Sequence, residues 1–292
     1  MRCNEGKPRL SGQGGHGMKN CVGIDIGGTK MHMMAELENG WAEHTVPTGS
    51  GCTLERLREE IGSFLSRLPY RPDGIGIGVV GLVEGHSRIQ FSDMRALSGA
   101  AADELVNVAA PVALINDVKA ATLSEAAHHP DSDTVAVIMA GTGIAVGVVS
   151  GGQLLQGARG WSGELGYMMF PVGERVQKLD ELAGGAAILR QAGTGIDTFL
   201  RKLEEGDSEA QAVIDRAGFY FGLALTNVIH LYNPDTIVIG GSTSRFKGYM
   251  DSALAAVNAH TLSDHAAVCS IVEAREPKRA VALGARAFIS RL

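Results

Sequence analysis

Aromatic residues and positive charge are both scarce in this sequence of 292 residues. Phe, Trp and Tyr together make up 5% of the chain, and Lys plus Arg fall short of Asp plus Glu, which gives a formal net charge of −6. Proteins bind nucleic acids through basic surfaces and aromatic stacking platforms. The composition therefore argues against a nucleic acid as the main partner. At 45% hydrophobic residues, the chain can still build a sizeable core.

Cysteine is also rare, and no pair has the CxxC spacing of a metal or redox motif. The four cysteines are Cys3, Cys21, Cys52 and Cys269. Their scatter argues against a disulfide framework and against a structural zinc, and it fits a reducing cytoplasm.

Long apolar runs are missing too: none reaches the roughly 18 residues that are needed to span a membrane. Residues 1–17 are polar and rich in Gly, which is unlike a signal peptide. We predict that residues 1–17 are a disordered extension, that the fold begins at Met18 and that the protein has no membrane partner.

The usual nucleotide motifs are absent, yet two short glycine turns suggest another way to hold phosphates. Neither a GxxxxGK[ST] loop nor a GxGxxG that opens a helix after the first strand is present. Each turn instead lies between two strand-like runs, as in a hairpin whose bare backbone N–H groups can face an anion. The turn residues are Gly27, Gly28, Thr29 and Lys30 in the first hairpin, and Gly141, Thr142 and Gly143 in the second.

Either turn alone could belong to an ordinary hairpin. The pair predicts that the two halves of the protein bind one polyphosphate between them. Asp25 ends the first strand, where a carboxylate can hold a hydrated Mg²⁺. Lys30 either contacts a phosphate or is an exposed lysine at a strand edge.

The periodicity predicts an α/β chain with a hairpin at the start of each half. Apolar runs predict strands at 21–26, 31–37, 75–80, 112–115, 135–140, 144–149, 236–239 and 268–272. Helical patterns cover 54–68, 101–109, 118–127 and 280–292, and a capping box at Ser208 predicts the start of a longer helix. We expect an N-terminal lobe at 18–117, to which residues 285–292 pack back, and a C-terminal lobe at 118–284.

Several segments, in the same order along the chain, resemble the motifs of the ROK sugar kinases, which belong to the actin/hexokinase/Hsp70 ATPase superfamily. The segments are Gly23–Lys30, Ile75–Gly81, Asn116–Ala121, Ala140–Gly143, Gly163–Tyr167 and Asn233–Gly241. The resemblance implies a two-lobed ribonuclease H-like, actin-like ATPase fold with a central cleft. It also implies ATP and Mg²⁺ as cofactors and a homodimer or homotetramer.

The same resemblance assigns roles to individual residues. Asp117 would be the catalytic base, although an Asn or Asp at the start of a helix also acts as its cap. Gly240 and Gly241 would meet the adenosine. The residues that would contact the sugar are Asn116, Asp117, Glu164, Tyr167, Asp180 and, by a looser match, Asp93. Lys119 stands where the family has Asn, and we expect it to be a solvated helix residue.

Two departures from the family pattern predict that the protein belongs to a branch of the family that lacks the structural zinc. Tyr167 replaces the family's zinc-ligating His, and the segment 171–180, which should supply cysteine ligands, contains none. Asp180 replaces a sugar-binding Glu, and Val80 replaces a Pro.

These observations predict ATP-dependent phosphorylation of a sugar hydroxyl, at the 6-position of a hexose or of an N-acylhexosamine. Two alternatives stay open: a sugar sensor without enzymatic activity, and a degenerate kinase that is kept as an interaction subunit. The sensor is disfavoured because only about 20 residues precede the first strand and because Asp117 is present.

Overall fold

The computed structural model describes residues 19–49 and 51–292, so the predicted extension at 1–17 lies outside the described residues. The strands are β1 Cys21–Ile26, β2 Lys30–Leu37, β3 Gly40–Pro47, β4 Gly74–Val79, β5 Leu82–Glu84, β6 Arg88–Phe91, β7 Val112–Asn116, β8 Thr134–Ala140, β9 Ile144–Ser150, β10 Gln153–Leu154, β11 Met169–Val172, β12 Arg175–Lys178, β13 Thr236–Gly240 and β14 Ser270–Glu273. The helices are α1 Leu54–Ser66, α2 Ala102–Leu105, α3 Asp117–Ala126, α4 Leu179–Ala183, α5 Gly185–Ala192, α6 Ile196–Glu204, α7 Ser208–Tyr232, α8 Tyr249–His260, α9 Ser263–Val268 and α10 Ala280–Ile289. Short 3₁₀ helices lie at Leu165–Tyr167 and Thr243–Arg245.

Two five-stranded sheets of the same design dominate the structure. Their strand orders are β3-β2-β1-β4-β7 and β10-β9-β8-β13-β14. In each sheet an antiparallel hairpin, β1–β2 or β8–β9, is followed by parallel strands. The predicted hairpin at the start of each half is therefore present, and each glycine turn connects its two strands.

Burial explains why these segments became strands and helices. β1 and β4 lie inside their sheet with both faces covered, so their sequences read as near-continuous apolar runs. On α1 the buried residues recur at helical spacing, and the Thr53 side chain caps the helix by accepting from the Arg56 N–H. The two sheets with their covering helices thus form the cores of the two halves.

The long helix α7 is capped differently from the prediction. Asp207 is the N-cap, and its carboxylate accepts from the N–H groups of Glu209 and Ala210, so the predicted cap Ser208 is already the first helical residue. The helix ends at Asn233, which adopts a left-handed conformation with φ 43°. α7 is long and apolar enough to cross a membrane by length and composition, but 56% of its apolar window is buried inside the protein, as in a core helix.

Helix α10 joins the first sheet to α3. It packs on β1 and β4 and against α3, and glycines allow the close approach. A Cβ at Gly76 would lie 1.9 Å from the carbonyl oxygen of Ala285, and one at Gly284 would lie 1.7 Å from that of Ala120 on α3. The close contact between the backbones of α10 and α3 therefore fixes the position of α3 relative to the first sheet. The lobe boundary at residue 117 stays a prediction.

We expect Gly284→Ala to lower the free energy of unfolding by about 3 kcal/mol, because overpacking between two backbones forces one helix to shift. Gly62→Ala is the matched control: it lies in the exposed interior of α1 with no atom within 4 Å of the added Cβ, and it should stabilise by about 0.5–1 kcal/mol. Urea denaturation of both variants tests this. Equal stability of the two would contradict the packing described here.

Several predicted elements need correction. The predicted strand 268–272 begins instead at Ser270, because Val268 is the last residue of α9. The predicted helix 101–109 is the single turn of α2, since Val106 is already extended. The predictions also missed β3 and the β11–β12 hairpin. β3 and β12 have few buried residues, and β11 is apolar but only four residues long, so none of them shows a buried apolar run of strand length.

Candidate active site

The first glycine turn is supported from its outer side. Gly27 donates its N–H to the carbonyl of Lys30, and the end of β3 binds the turn through Gly49, whose N–H donates to the carbonyl of Gly28 at 3.0 Å. Thr48 adds a hydroxyl bond to the carbonyl of Gly27 at 2.7 Å. The carbonyls are thus occupied, while a Cβ at Gly28 would meet nothing within 4 Å. The open side can receive an anion on its N–H groups.

The second turn is held by two later segments of its own half of the chain. The carbonyl of Gly141 accepts from the N–H of Gly185, at the start of α5, and from the hydroxyl of Thr243, each at 2.8 Å. Open space again surrounds a Cβ placed at Gly141, whereas Gly143 lies against the carboxylate of Asp180. Both turns therefore have fixed carbonyls and an accessible side, which is the geometry predicted for a phosphate cradle.

Asp25 and Asp117 lie near each other where β1 and β7 end. Burial and, to a smaller extent, the charge of Asp117 raise the pKa of Asp25 to about 7, against a smaller opposing effect of Lys30. Burial also raises the pKa of Asp117 to about 6, although a hydrogen bond from the Val118 N–H favours its charged form. The charge of Glu164 also raises the pKa of Asp117, and a cluster of carboxylates of this kind suits a divalent cation.

The donor set fits Mg²⁺ and offers little to a cation that needs a full protein cage. Among residues 19–49 and 51–292, no group of three or more His, Cys, Asp or Glu side chains converges to hold a metal. Mg²⁺ is usually bound by one or two carboxylates, with water and substrate phosphates completing the shell. Asp25 is the residue that would hold it through water.

Asn116, and not Asp117, is the cap of α3. Its Oδ1 accepts from the Lys119 N–H at 3.1 Å, and its Nδ2 donates to the carbonyl of Gly81 and to Asp117 Oδ1. The capping alternative is therefore confirmed for Asn116. Its side chain also orients the neighbouring carboxylate, because Asp117 Oδ1 accepts from Asn116 and from the N–H of Val118.

Asp180 connects the second glycine turn to the segment that carries Glu164. Its Oδ1 accepts from the N–H of Ile144 at 2.7 Å, and a Cβ at Gly166 would lie only 2.2 Å from the same oxygen. The pKa of Asp180 is raised, mainly by burial. Asp180 thus has a supporting role in the fold, and its predicted contact with the sugar stays a prediction.

Glu164 lies near enough to Asp117 for its charge to raise the pKa of that carboxyl. Burial raises the pKa of Glu164, the charge of Lys119 lowers it, and that of Asp180 raises it. Tyr167 is 56% exposed, and the ammonium of Lys178 lies 4.2 Å above its ring. Glu164 is therefore electrostatically coupled to the cluster, whereas Tyr167 lies at its outer edge.

Asp93 is exposed in the loop after β6. The preceding residue anchors that loop, since the Ser92 hydroxyl donates to the carbonyl of Val80 at 2.7 Å. Asn116 binds the adjoining carbonyl of Gly81, so the loop is connected to the start of α3. The role of Asp93 stays a prediction.

The expectation for Lys119 is wrong, because the residue is buried. Only 3% of it is exposed, and its ammonium donates to the carbonyls of Gln156 and Gly160. Burial lowers the pKa of Lys119 to about 8, and the charge of Glu164 partly offsets this. A lysine in a short helix ordinarily faces solvent, and the carbonyls that satisfy Lys119 come from a segment about 40 positions later in the chain.

A cavity lies beside Gly240, one of the two glycines that we predicted to meet the adenosine, whereas Gly241 is not among its lining residues. Gly241 has φ 96°, and a Cβ there would lie 2.2 Å from the carbonyl of Ala140, so the turn follows β8 closely. The cavity has a volume of about 210 Å³. It is lined by Ile239, Gly240, Ser244, Arg245, Met250, Leu254, Ile271, Val272, Glu273 and Ala274. A mostly apolar cavity with a few polar groups is typical of sites for small molecules, including a nucleobase.

We expect the purified, untagged protein to contain no structural zinc. The segment 171–180, where the family has cysteine ligands, forms part of the β11–β12 hairpin and the start of α4. The reason is chemical: this segment has no thiolate, and Tyr167 offers no imidazole. Elemental analysis after treatment with a chelator measures the content. A stoichiometric, chelator-resistant zinc would contradict the prediction.

Comparison with known proteins places the whole described region in one family. The model of the ROK family matches residues 21–291. An N-acetylmannosamine kinase of Escherichia coli O157:H7 is 28% identical over 248 residues, which cover 78% of this chain and 85% of the relative.

Solved structures agree. The ROK hexokinase of Thermus thermophilus superposes with a TM-score of 0.74 at 26% identity, over 92% of this chain and 97% of that one. A ROK family transcriptional regulator, a homologue of the E. coli MLC protein, gives 0.77 at 25% identity, over 93% of this chain and 78% of that one. The chain therefore belongs to the ROK family and has the actin-like ATPase fold of its sugar kinases.

Proposed function

We propose that the protein transfers the γ-phosphoryl group of ATP to the 6-hydroxyl of a hexose or N-acylhexosamine, with Asp117 as the general base. The observation that carries this is the position of Asp117. The carboxylate lies at the start of α3, oriented by Asn116 and close to Asp25 at the end of β1. It is the arrangement that phosphoryl transfer to a hydroxyl requires: a phosphate cradle, a cation site and a carboxylate.

That the protein is a sugar kinase is supported by the family match together with the named relatives, an N-acetylmannosamine kinase and a ROK hexokinase. ATP as donor and Mg²⁺ as its counterion are our inference from the two open glycine turns and the paired carboxylates. When bound, Mg²⁺ would neutralise charge on the phosphates. The cavity beside Gly240 is the place we propose for the adenosine.

Each residue of the candidate active site then has a defined role. The Asp117 carboxylate accepts the proton of the attacking hydroxyl, and Asn116 orients that carboxylate. Glu164 and Asp180 accept hydrogen bonds from the other sugar hydroxyls, and Tyr167 forms a wall of the pocket. The N–H groups of the two turns bind the phosphates. Closure of the two halves would exclude water, so that the sugar receives the phosphoryl group.

An N-acylhexosamine is the substrate class we favour, because the relative at 28% identity is an N-acetylmannosamine kinase. A coupled assay of ADP release with ATP and Mg²⁺ should show turnover with N-acetylmannosamine, N-acetylglucosamine, glucose or mannose. Reactions without sugar control for ATP hydrolysis. ADP release that no sugar accelerates would contradict the proposal.

We expect kcat/KM for the sugar to fall on the acid side, with a midpoint between about pH 6 and 7, the pKa values of Asp117 and Asp25. The sign follows from the raised pKa: the carboxyl keeps its proton to a higher pH than usual, and a protonated base cannot accept the hydroxyl proton. The carboxyls of Asp25 and Asp117 interact, so the midpoint of the acid side of the profile belongs to the pair and not to either residue alone. A profile that stays flat down to about pH 5 would contradict the role of Asp117.

A second candidate function is sugar sensing without catalysis, which is favoured by the similarity to the ROK transcriptional regulator. It predicts sugar binding with no phosphorylated product. We place the protein in the cytoplasm, where ATP is available and free thiols persist. Assembly into a homodimer or homotetramer stays a prediction.

A further inference from the structure

Lys119 bridges two segments of the candidate site that are distant in sequence. Its backbone N–H donates to the side chain of Asn116, and its ammonium donates to the carbonyls of Gln156 at 3.2 Å and Gly160 at 2.5 Å. Among the described residues, no carboxylate lies within 4.0 Å of the ammonium. The buried charge is therefore satisfied by main-chain oxygens of a single loop.

That loop, residues 155–163, connects β10 to Glu164 and contains four residues with positive φ. Arg159 adopts φ 71°, which is uncommon for a residue with a side chain, and Gly157, Gly160 and Gly163 are also in the left-handed range. At a residue with positive φ, the carbonyl group points in a direction that residues with negative φ do not give it. The carbonyl of Gly160, one of the residues with positive φ, and that of Gln156 both accept from the Lys119 ammonium, which thereby holds the loop.

Further contacts also hold the loop: the Ser162 N–H donates to the carbonyl of Gln156 at 3.1 Å, so Gly160 is the carbonyl that the ammonium binds near the centre of the loop. Near its start, the Ser162 hydroxyl donates to the carbonyl of Leu155 at 2.6 Å, and at its end the Val146 N–H donates to the carbonyl of Gly163. The Arg159–Glu84 ion pair is exposed, so it contributes little. The ammonium is thus the buried contact at Gly160, four residues before Glu164.

We propose that Lys119 is a positioning residue for sugar binding: it holds the 155–163 loop against α3 and thereby places Glu164 beside Asn116 and Asp117. The proposal rests on the proposed function, because it assumes that Glu164 binds the sugar. The charge of Lys119 also favours the ionised form of Glu164, which is the form that accepts hydrogen bonds from hydroxyls.

The test compares two substitutions that separate hydrogen bonding from packing. Lys119→Met keeps the apolar stem and removes every donor. Lys119→Gln keeps N–H donors on a shorter, uncharged side chain. Lys278→Met is the control, since Lys278 is exposed. Steady-state kinetics with the best sugar are measured for all three.

We expect Lys119→Met to raise the sugar KM about tenfold, with the KM for ATP and kcat within about threefold of wild type, because the variant loses both hydrogen bonds from a charged donor to the loop. Lys119→Gln should recover part of that loss, and Lys278→Met should resemble wild type. A merely packing role predicts the reverse order, with Met better than Gln. That order, or an unchanged sugar KM in Lys119→Met, overturns the proposal.

Amide hydrogen exchange provides a readout without turnover. In Lys119→Met, amides of residues 156–162 should exchange about tenfold faster, while those of β8 and β9 keep the wild-type rate. Unchanged exchange in the loop overturns the proposal. If the wild-type protein phosphorylates no sugar, the proposed function fails, and the exchange experiment still decides whether Lys119 holds the loop.

Discussion

Replacing Asp117 by Asn should lower kcat by about 10²–10⁴-fold while the fold and sugar binding persist, because the variant lacks the carboxylate that accepts the hydroxyl proton. Asn is nearly isosteric, and its Oδ1 can still accept from the N–H of Val118. The change also removes a charge that raises the pKa of Asp25. We therefore expect the variant to be at least as stable as wild type.

The measurement is kcat for the wild type and the variant, together with sugar binding by calorimetry. Sugar affinity within about threefold of wild type would assign the loss to chemistry. A variant that turns over at nearly the wild-type rate would remove Asp117 from the mechanism. A variant that neither binds nor folds would call for Asp117→Ser as a second test.

Replacing Glu164 by Gln should raise the sugar KM by about 10–100-fold, since hydrogen bonds between hydroxyls and a carboxylate are worth about 1.5–3 kcal/mol. Tyr167→Phe should change the KM little. Tyr167 is 56% exposed and its ring is covered by Lys178, so the substitution leaves both the wall and the cation–π contact in place.

The comparison between the two variants is the informative quantity, and both should keep the wild-type melting temperature. Tyr167→His is a useful third variant, because it restores the family residue without supplying thiolates and should bind no zinc. If Tyr167→Phe weakens sugar use more than Glu164→Gln does, Tyr167 has the recognition role and the assignment of Glu164 is wrong.

Strands that are buried on both faces could be predicted from the sequence, because burial leaves a continuous apolar run. β1, β4, β8 and β13 are of this kind, and their predicted bounds agree with the structure within one or two residues. The edge strand β3 could not be found in this way. Its residues are mostly exposed, and its pairing with β2 is set by the hairpin and by tertiary context.

The glycine turns and Asp117 could be predicted because each needs a particular residue type at the end of a strand. Contacts between segments that are distant in the sequence could not be predicted. The bond from Ile144 to Asp180 spans 36 positions, and those from Lys119 to the loop span about 40. A lysine gives no sign in the sequence that it will be buried, since the carbonyls that satisfy it come from a loop elsewhere in the chain.

Phosphorus NMR of the product tests the central claim most directly. The wild-type protein is incubated with ATP, Mg²⁺ and the sugar that the ADP screen selects. Transfer to the 6-hydroxyl predicts a phosphomonoester signal that is coupled to the two protons of the C6 methylene and that is absent without sugar. If inorganic phosphate is the only new signal, or if sugar binds and no phosphomonoester forms, the account of this protein as a kinase acting through Asp117 is contradicted.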